Sequence, residues 1–320
     1  MSSFGKDIAG NRPYVVIGGF GRSGSNLILK MFDVHEDTHC RNEPNDLLGA
    51  SMTGLTPLFP ADMPAGFDNA WPAAIDGVAG TVGARDHLPP GRKTFVRKGP
   101  LSRLGGWLQS KRRFRTIAGL GDEWPCPRLI YDRRRLATSL PVLKMMLVGA
   151  GLIEAHRVAP GQRLVHILRQ PEGFLNSWFN RYVVKQPGGP EKVWADNLET
   201  LPTILEHFGA DPKQCDRYSL PTLLESELWR WRYLNEMLGT LSGSDRYLKV
   251  TYEKALQHRT ETTRSLFDFA GLTFSEEHGM RLQGIRNRVF SAPHQTKLDT
   301  AEIAAAVDRA LGGSPLLSEL

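Results

Sequence analysis

A short apolar segment followed by a glycine-rich turn constrains the fold of this chain more than any other feature. Residues 14–17 (YVVI) are apolar and β-forming, residues 18–24 hold four glycines, and residues 25–34 have apolar side chains at helical spacing. This order predicts a buried strand, a tight turn and a helix. A second pair follows, with a strand at 163–168 and a helix at 171–182. Repeated strand–helix pairs predict an α/β fold whose parallel sheet is flanked by helices.

The glycine-rich turn also predicts an anion site, because backbone N–H groups and the helix dipole meet there. The segment is P-loop-like but departs from the nucleoside-triphosphatase pattern GxxxxGK[ST]: Ser25 takes the place of the lysine and Asn26 that of the magnesium-binding hydroxyl. A metal-free phosphate cradle remains. Its predicted ligands are Gly21, Arg22, Ser23, Gly24, Ser25 and Asn26. Many glycine-rich loops are only tight turns, so this pattern alone leaves both interpretations open.

A second anion site is predicted where the strand at 163–168 ends. Arg169 follows this strand, Ser177 lies about two helical turns later, and Arg181 is one further turn along the same helix. A guanidinium at a strand end and two donors on the next helix suit a phosphate. Two such sites on one sheet indicate a nucleotide that is phosphorylated at two positions. Arg181 could equally be a solvated helix residue.

Three segments in the same order resemble the sulfotransferase family. Residues 21–27 (GRSGSNL) are similar to its 5′-phosphosulfate loop, Arg169 to Ser177 is similar to its 3′-phosphate motif, and residues 247–256 (YLKVTYEKAL) resemble its strand ending in a YE-x-L box. Gln170 stands where the second motif usually has Asp or Asn. The resemblance implies a sulfotransferase fold and transfer of a sulfuryl group from 3′-phosphoadenosine 5′-phosphosulfate (PAPS) to a hydroxyl or an amine.

The same resemblance implies residue roles, and it is nearest to the carbohydrate and tyrosylprotein branch. Glu43 matches that branch's catalytic glutamate, while Lys144 and Arg22 would neutralise the sulfuryl group and the leaving phosphate. The remaining cofactor-binding residues implied by the resemblance are Arg169, Ser177, Arg181, Tyr252, Ser291 and Lys297. Glu43 could instead cap the turn at Pro44, and Tyr252 could be a core aromatic rather than an adenine contact.

Composition limits the remaining choices. The 320 residues carry a formal net charge of +6, which favours anionic ligands such as a nucleotide or an acidic glycan. We expect one domain over 1–320, with a loose tail at 1–12 and an irregular insertion at 49–127 on the acceptor side. The basic stretch 92–115 could hold an acidic acceptor; it has no aromatic-rich RNA motif, so no nucleic-acid partner is predicted.

Cysteine spacing and hydropathy indicate whether the chain binds a metal, where it is located and whether it spans a membrane. The three cysteines are widely separated and form no CxxC pair or Cys/His cluster, so free thiols and no metal site are expected. The longest apolar run, 140–153, is interrupted by Lys144, so no membrane span is expected. These features predict a cytoplasmic protein.

Two rival functions remain open at this point. One is a P-loop kinase or nucleoside triphosphatase, which the altered Lys-Ser/Thr positions disfavour. The other is a non-catalytic anion-binding protein on a degenerate sulfotransferase fold. The acceptor is not predicted, although a carbohydrate is one candidate.

Overall fold

The computed structural model describes residues 12–43, 55, 57–79, 81–83, 93–100, 123–125, 132–185, 188–215, 217–285 and 298–319. Its strands are β1 Tyr14–Gly19, β2 Thr38–Asn42, β3 Thr81–Gly83, β4 Glu123–Pro125, β5 Leu140–Lys144, β6 Gln162–Leu168 and β7 Tyr247–Thr251. Five of them form an all-parallel sheet in the order β2-β5-β1-β6-β7, and β3 pairs with β4 in an antiparallel ribbon.

Helices cover both faces of the five-stranded sheet. They are α1 Ser25–Asp33, α2 Phe67–Ala79, α3 Arg133–Thr138, α4 Ala150–Val158, α5 Pro171–Trp178, α6 Gly189–Leu198, α7 Leu201–His207, α8 Leu220–Gly239, α9 Tyr252–Gln257, α10 Arg259–Ala270, α11 Glu276–Gln283 and α12 Thr300–Leu311. The predicted α/β class with a parallel sheet and flanking helices is therefore confirmed.

The central strand β1 shows why the sheet is covered on both sides. All six of its residues are buried. Val16 belongs to an apolar core beneath α8, while Val15 and Ile17 belong to a second core beneath α1 and α10. Alternate side chains of a strand point to opposite faces, so a continuously apolar strand requires a helical layer on each face.

The predicted irregular insertion contains a regular element. The helix α2 has 13 residues, and its Trp71 and Val78 side chains are fully buried in the core beneath α8. Pro72 lies inside this helix. Proline and glycine interrupt the local helical signal of this segment, whereas burial of its apolar face stabilises the helix in the folded chain.

A π-helical turn changes the geometry after α5. The predicted helix at 171–182 is α-helical only to Trp178, and Phe179–Val183 forms a π-helical turn in which Val184 N–H donates to the Phe179 carbonyl at 3.0 Å. Such turns are often found at functional sites. No helix among the described residues is long and apolar enough to cross a bilayer.

Candidate anion-binding and catalytic site

The carboxyl ends of parallel strands lie at one edge of a sheet, where α/β proteins bind their ligands. In this chain every predicted site residue within the described part ends a strand of the sheet, follows one, or belongs to the helical segment after it. Glu43 follows β2, Lys144 ends β5, the glycine-rich loop follows β1, Arg169 follows β6, and Tyr252 follows β7. Parallel pairing therefore gathers segments that are far apart in sequence.

The loop between β1 and α1 has the backbone of an anion cradle. Arg22 and Gly24 have φ of 71° and 93°, in the left-handed region. The α1 helix starts at Ser25, and no described side chain caps its N-terminus, where the first N–H groups of a helix lack partners within the helix. Ser23 is fully buried, and its Oγ has no hydrogen-bond partner. A bound phosphate would supply the missing acceptors.

Gly24 is required at its position for two reasons. Its positive φ disfavours other residues, and a Cβ atom there would lie 2.0 Å from Cδ2 of Tyr252. At Gly21, by contrast, an added Cβ would meet no atom within 4 Å. The Tyr252 ring therefore packs directly against the loop backbone, whereas Gly21 borders open space.

The two predicted anion sites meet in one cluster. Arg22 donates from Nε to Ser177 Oγ at 3.2 Å, and Arg169 donates from Nη1 to the Arg22 carbonyl at 3.0 Å. The Arg169 guanidinium also lies over the Tyr252 ring, 4.5 Å from its centroid. Arg22 was expected at one phosphate and Ser177 at the other; their hydrogen bond places the two motifs in direct contact.

This cluster brings two guanidinium groups together at the strand ends. Neither Arg22 nor Arg169 forms an ion pair with any described residue, and Arg169 Nε is buried without a hydrogen-bond partner. Burial lowers the pKa of Arg169, the nearby Tyr252 and Glu253 raise it, and Arg22 lowers it further. Two partly buried guanidinium groups without an ion pair to a described residue fit an anionic ligand.

The two residues of the YE box, Tyr252 and Glu253, contact Arg169 and the residue after it, Gln170. Tyr252 is buried between Gly24 and the Arg169 guanidinium, and burial raises the pKa of its hydroxyl while Arg169 opposes that shift. The neighbouring Glu253 accepts the backbone N–H of Gln170 at 3.2 Å. These contacts agree with the core-aromatic interpretation of Tyr252; contact with adenine stays a prediction. Sequence reasoning missed Glu253, although the YE pair was the available signal.

Lys144 and Glu43 form the second part of the site. Lys144 Nζ lies 2.6 Å from Glu43 Oε1, 2.9 Å from Asn42 Oδ1 and 3.0 Å from Asn26 Oδ1. The Lys144 side chain is only 5% exposed, whereas that of Glu43 is 31% exposed. Glu43 has φ of 50°, an uncommon conformation for a non-glycine residue. Sequence reasoning missed Asn42, which no local pattern distinguishes.

Of the remaining predicted residues, the structure describes only Arg181. Arg181 is exposed in the π-helical turn, its guanidinium 5.9 Å from the Tyr182 ring centroid, and it makes no hydrogen bond to a described residue. Ser291 and Lys297 lie outside the described residues. In the basic stretch, Lys93 is buried and donates to the carbonyls of Asp33 and His35, each at 2.8 Å, so it is structural rather than a surface contact.

No protein-family profile matches the chain, and no curated protein does either. The chain does resemble solved structures, among them several sulfotransferases. One is the sulfotransferase domain of the Synechococcus PCC 7002 olefin synthase, with 16% identity over 95% of this chain and 96% of that one, at a TM-score of 0.37. A sulfotransferase from Alicyclobacillus acidocaldarius gives 13% identity, 94% of each chain and a TM-score of 0.41.

The mouse sulfotransferase SULT7A1, solved in complex with PAP, gives 7% identity over 97% of this chain and 89% of that one, with a TM-score of 0.46. These neighbours are sulfotransferases, the class that the motifs resemble. Identities this low do not transfer residue roles, so the functional conclusion must come from the site itself.

Proposed function

We propose that this protein is a sulfotransferase that uses PAPS as the sulfuryl donor. One observation carries the proposal: Arg22 and Arg169, from the two separate motifs, meet at the carboxyl edge of the sheet, and no carboxylate of the described residues pairs with either. A nucleotide with phosphates at its 5′ and 3′ positions would satisfy both the loop and the Arg169 cluster. The sulfotransferase neighbours agree with this proposal, but the residues of the site carry it.

The residues fit the donor in the following way. The loop N–H groups and Ser23 would hold the 5′-phosphate, while Arg169 and Ser177 would hold the 3′-phosphate, as charge-assisted hydrogen bonds to phosphate favour. Arg181, Ser291 and Lys297 stay predicted ligands of the 3′-phosphate end. PAPS supplies the sulfuryl group, and its 5′-phosphate side is the leaving group.

Glu43 and Lys144 are placed to assist the transfer. A bond would form between the acceptor oxygen or nitrogen and sulfur while the bond from sulfur to the bridging oxygen breaks. Glu43 would take the acceptor proton, and Lys144 and Arg22 would neutralise charge on the transferring group and on the leaving phosphate. The acceptor class is a hydroxyl or an amine; a carbohydrate hydroxyl is the candidate favoured by the resemblance of Glu43 to the catalytic glutamate of the carbohydrate and tyrosylprotein branch.

Asn26 argues against a kinase or nucleoside triphosphatase. It occupies the position of the magnesium-binding hydroxyl in the P-loop pattern, but its side-chain oxygen accepts from Lys144 Nζ at 3.0 Å. This side chain therefore holds a protein ammonium group. We expect nucleotide binding to depend on the 3′-phosphate rather than on magnesium.

The test is calorimetric titration with 3′-phosphoadenosine 5′-phosphate, the desulfated product, in magnesium-free buffer. We expect micromolar binding by the wild type and a loss of about 10- to 100-fold in Arg169→Ala, since a hydrogen bond to a charged group contributes about 1.5–3 kcal/mol. Arg157→Ala is the control, because this exposed arginine of α4 already pairs with Glu154. A folded wild type that does not bind the nucleotide would overturn the proposal.

A further inference from the structure

The ammonium group of Lys144 has no donor to spare. A lysine offers three N–H groups, and in Lys144 they meet three acceptors: Asn26 Oδ1, Asn42 Oδ1 and Glu43 Oε1, at 3.0, 2.9 and 2.6 Å. The side chain is buried, so solvent does not provide a substitute acceptor. Any new contact with Lys144 therefore requires that one of these three acceptors withdraw.

Backbone pairing between β2 and β5 brings two of these acceptors, Asn42 and Glu43, next to Lys144. Asn42 is the register partner of Lys144 in the parallel pair β2–β5, so the two side chains point to the same side of the sheet. Glu43 N–H then donates to the Lys144 carbonyl at 2.9 Å and extends the ladder by one bond. Glu43 makes this bond with a left-handed φ, and the Glu43 carboxylate forms an ion pair with Lys144.

Of the three acceptors, Glu43 alone is an anion. A phosphosulfate that approaches the loop is also anionic, and two anions compete for one ammonium group, whereas the neutral amides of Asn26 and Asn42 do not repel the donor. Glu43 is also more exposed than Lys144, at 31% against 5%, so its carboxylate has room to move towards solvent.

We propose that Lys144 is shared in alternation between Glu43 and the nucleotide, with Asn26 and Asn42 as positioning residues that hold the ammonium group in both states. This inference rests on the proposed function. Nucleotide binding then releases the Glu43 carboxylate, which can accept the acceptor's proton only when the donor is in place. The negative charge of Glu43 therefore weakens nucleotide binding, even though the same group assists the transfer.

The experiment measures the affinity for 3′-phosphoadenosine 5′-phosphate in Glu43→Gln and in the wild type. Because the substitution removes the competing charge and keeps the side-chain shape, we expect about tenfold tighter binding by Glu43→Gln. Glu172→Gln is the matched control, since Glu172 is an exposed carboxylate in the first turn of α5 and makes no described contact with Lys144. It should change the affinity by less than about twofold.

A second variant should change the nucleotide affinity in the opposite direction. Asn42→Asp places another carboxylate on Lys144, so we expect about fivefold weaker binding, with a thermal midpoint near that of the wild type. If Glu43 only stabilised the loop, Glu43→Gln would bind equally or more weakly, and that result would overturn the inference. An Asn42→Asp affinity equal to the wild type would overturn the role of Asn42. Absence of binding in the wild type instead contradicts the proposed function itself.

Discussion

Two groups of arginines in this protein have opposite surroundings. The first group lies on α8 and α12, and each of its three arginines pairs with a carboxylate. The pairs are Arg309 with Glu225 at 2.9 Å, Arg230 with Glu227 at 3.0 Å, and Arg232 with Glu236 at 2.9 Å. At the strand ends, Arg22 and Arg169 contact a hydroxyl, a carbonyl and an aromatic ring, but no carboxylate among the described residues.

The difference separates arginines that pair with carboxylates within the fold from arginines that we propose bind the nucleotide. The α8 pairs are completed within the chain, and the Arg309–Glu225 pair joins α12 to α8. The strand-end arginines are partly buried and form no ion pair with a described residue, an arrangement that folding alone does not favour. Functional sites commonly keep such a cost, because the binding partner offsets it.

The largest effect is expected where a buried pair is broken. Arg230→Met leaves Glu227, fully enclosed and hydrogen-bonded to Asn197 Nδ2 at 3.1 Å, without its cation. Burial raises the pKa of Glu227, and Arg230 opposes that shift. We expect about 3–5 kcal/mol of lost unfolding free energy in urea denaturation. Arg169→Met is the comparison variant. It should lose no more than about 1 kcal/mol of unfolding free energy, because it removes a partly buried charge that has no ion-pair partner among the described residues. Equal losses would remove the distinction between the two groups.

The glycine-rich loop provides the next largest contrast. Gly24→Ala brings a Cβ against the Tyr252 ring and keeps a strained positive φ, so we expect about 2 kcal/mol of lost stability. Gly21→Ala has open space in the ligand-free protein and should stay within about 0.5 kcal/mol of the wild type. Thermal unfolding of both variants measures this difference. If nucleotide affinity nevertheless falls in Gly21→Ala, the ligand uses that space; comparable stabilities of the two variants would contradict the packing of Tyr252 on the loop.

Two serines, one beside the strand-end arginines and one on α8, test the same difference with a smaller expected effect. Ser177 accepts from Arg22, whereas Ser226 accepts from Asn197 Nδ2 at 3.0 Å and donates to the Leu223 carbonyl at 2.8 Å. Ser177→Ala should weaken nucleotide binding about fivefold with little change in stability, and Ser226→Ala should lose about 1 kcal/mol of stability with unchanged binding. Calorimetry and urea denaturation on both variants check this; reversed effects would place Ser177 in the structural group.

The smallest effect concerns pH and lies beside β2. Burial alone would raise the pKa of Glu36, but hydrogen bonding from His278, at 2.9 Å, and nearby charge lower it to about 2 from 4.5. A carboxyl with a lowered folded pKa stabilises the protein above its unfolded pKa and loses that contribution as pH falls towards 2. Glu36→Gln should therefore flatten the decline in stability between pH 5 and 3, about the range of that titration. A decline identical to that of the wild type would show that the pair contributes nothing.

Much of the fold follows from local patterns in the sequence. The strand at 14–17, the glycine turn and the helix after it appear where their residues predict them, and the strand predicted at 163–168 is β6. Such elements depend on apolar spacing and turn chemistry within a few residues. The α2 helix was not predicted, because Pro72 interrupts its pattern and only burial against the core stabilises it.

The site divides in the same way. The sequence by itself determined which residue types stand at the strand ends: the glycine loop, Arg169, Lys144 and Glu43. Only the tertiary structure decided their partners, because these pairs lie far apart in the chain: Arg22 meets Ser177 across 155 residues, and Lys144 meets Asn42 across 102. Local periodicity carries no information on strand order or register, whereas packing on both faces of the sheet sets β5 between β1 and β2 and so places Lys144 beside Asn42.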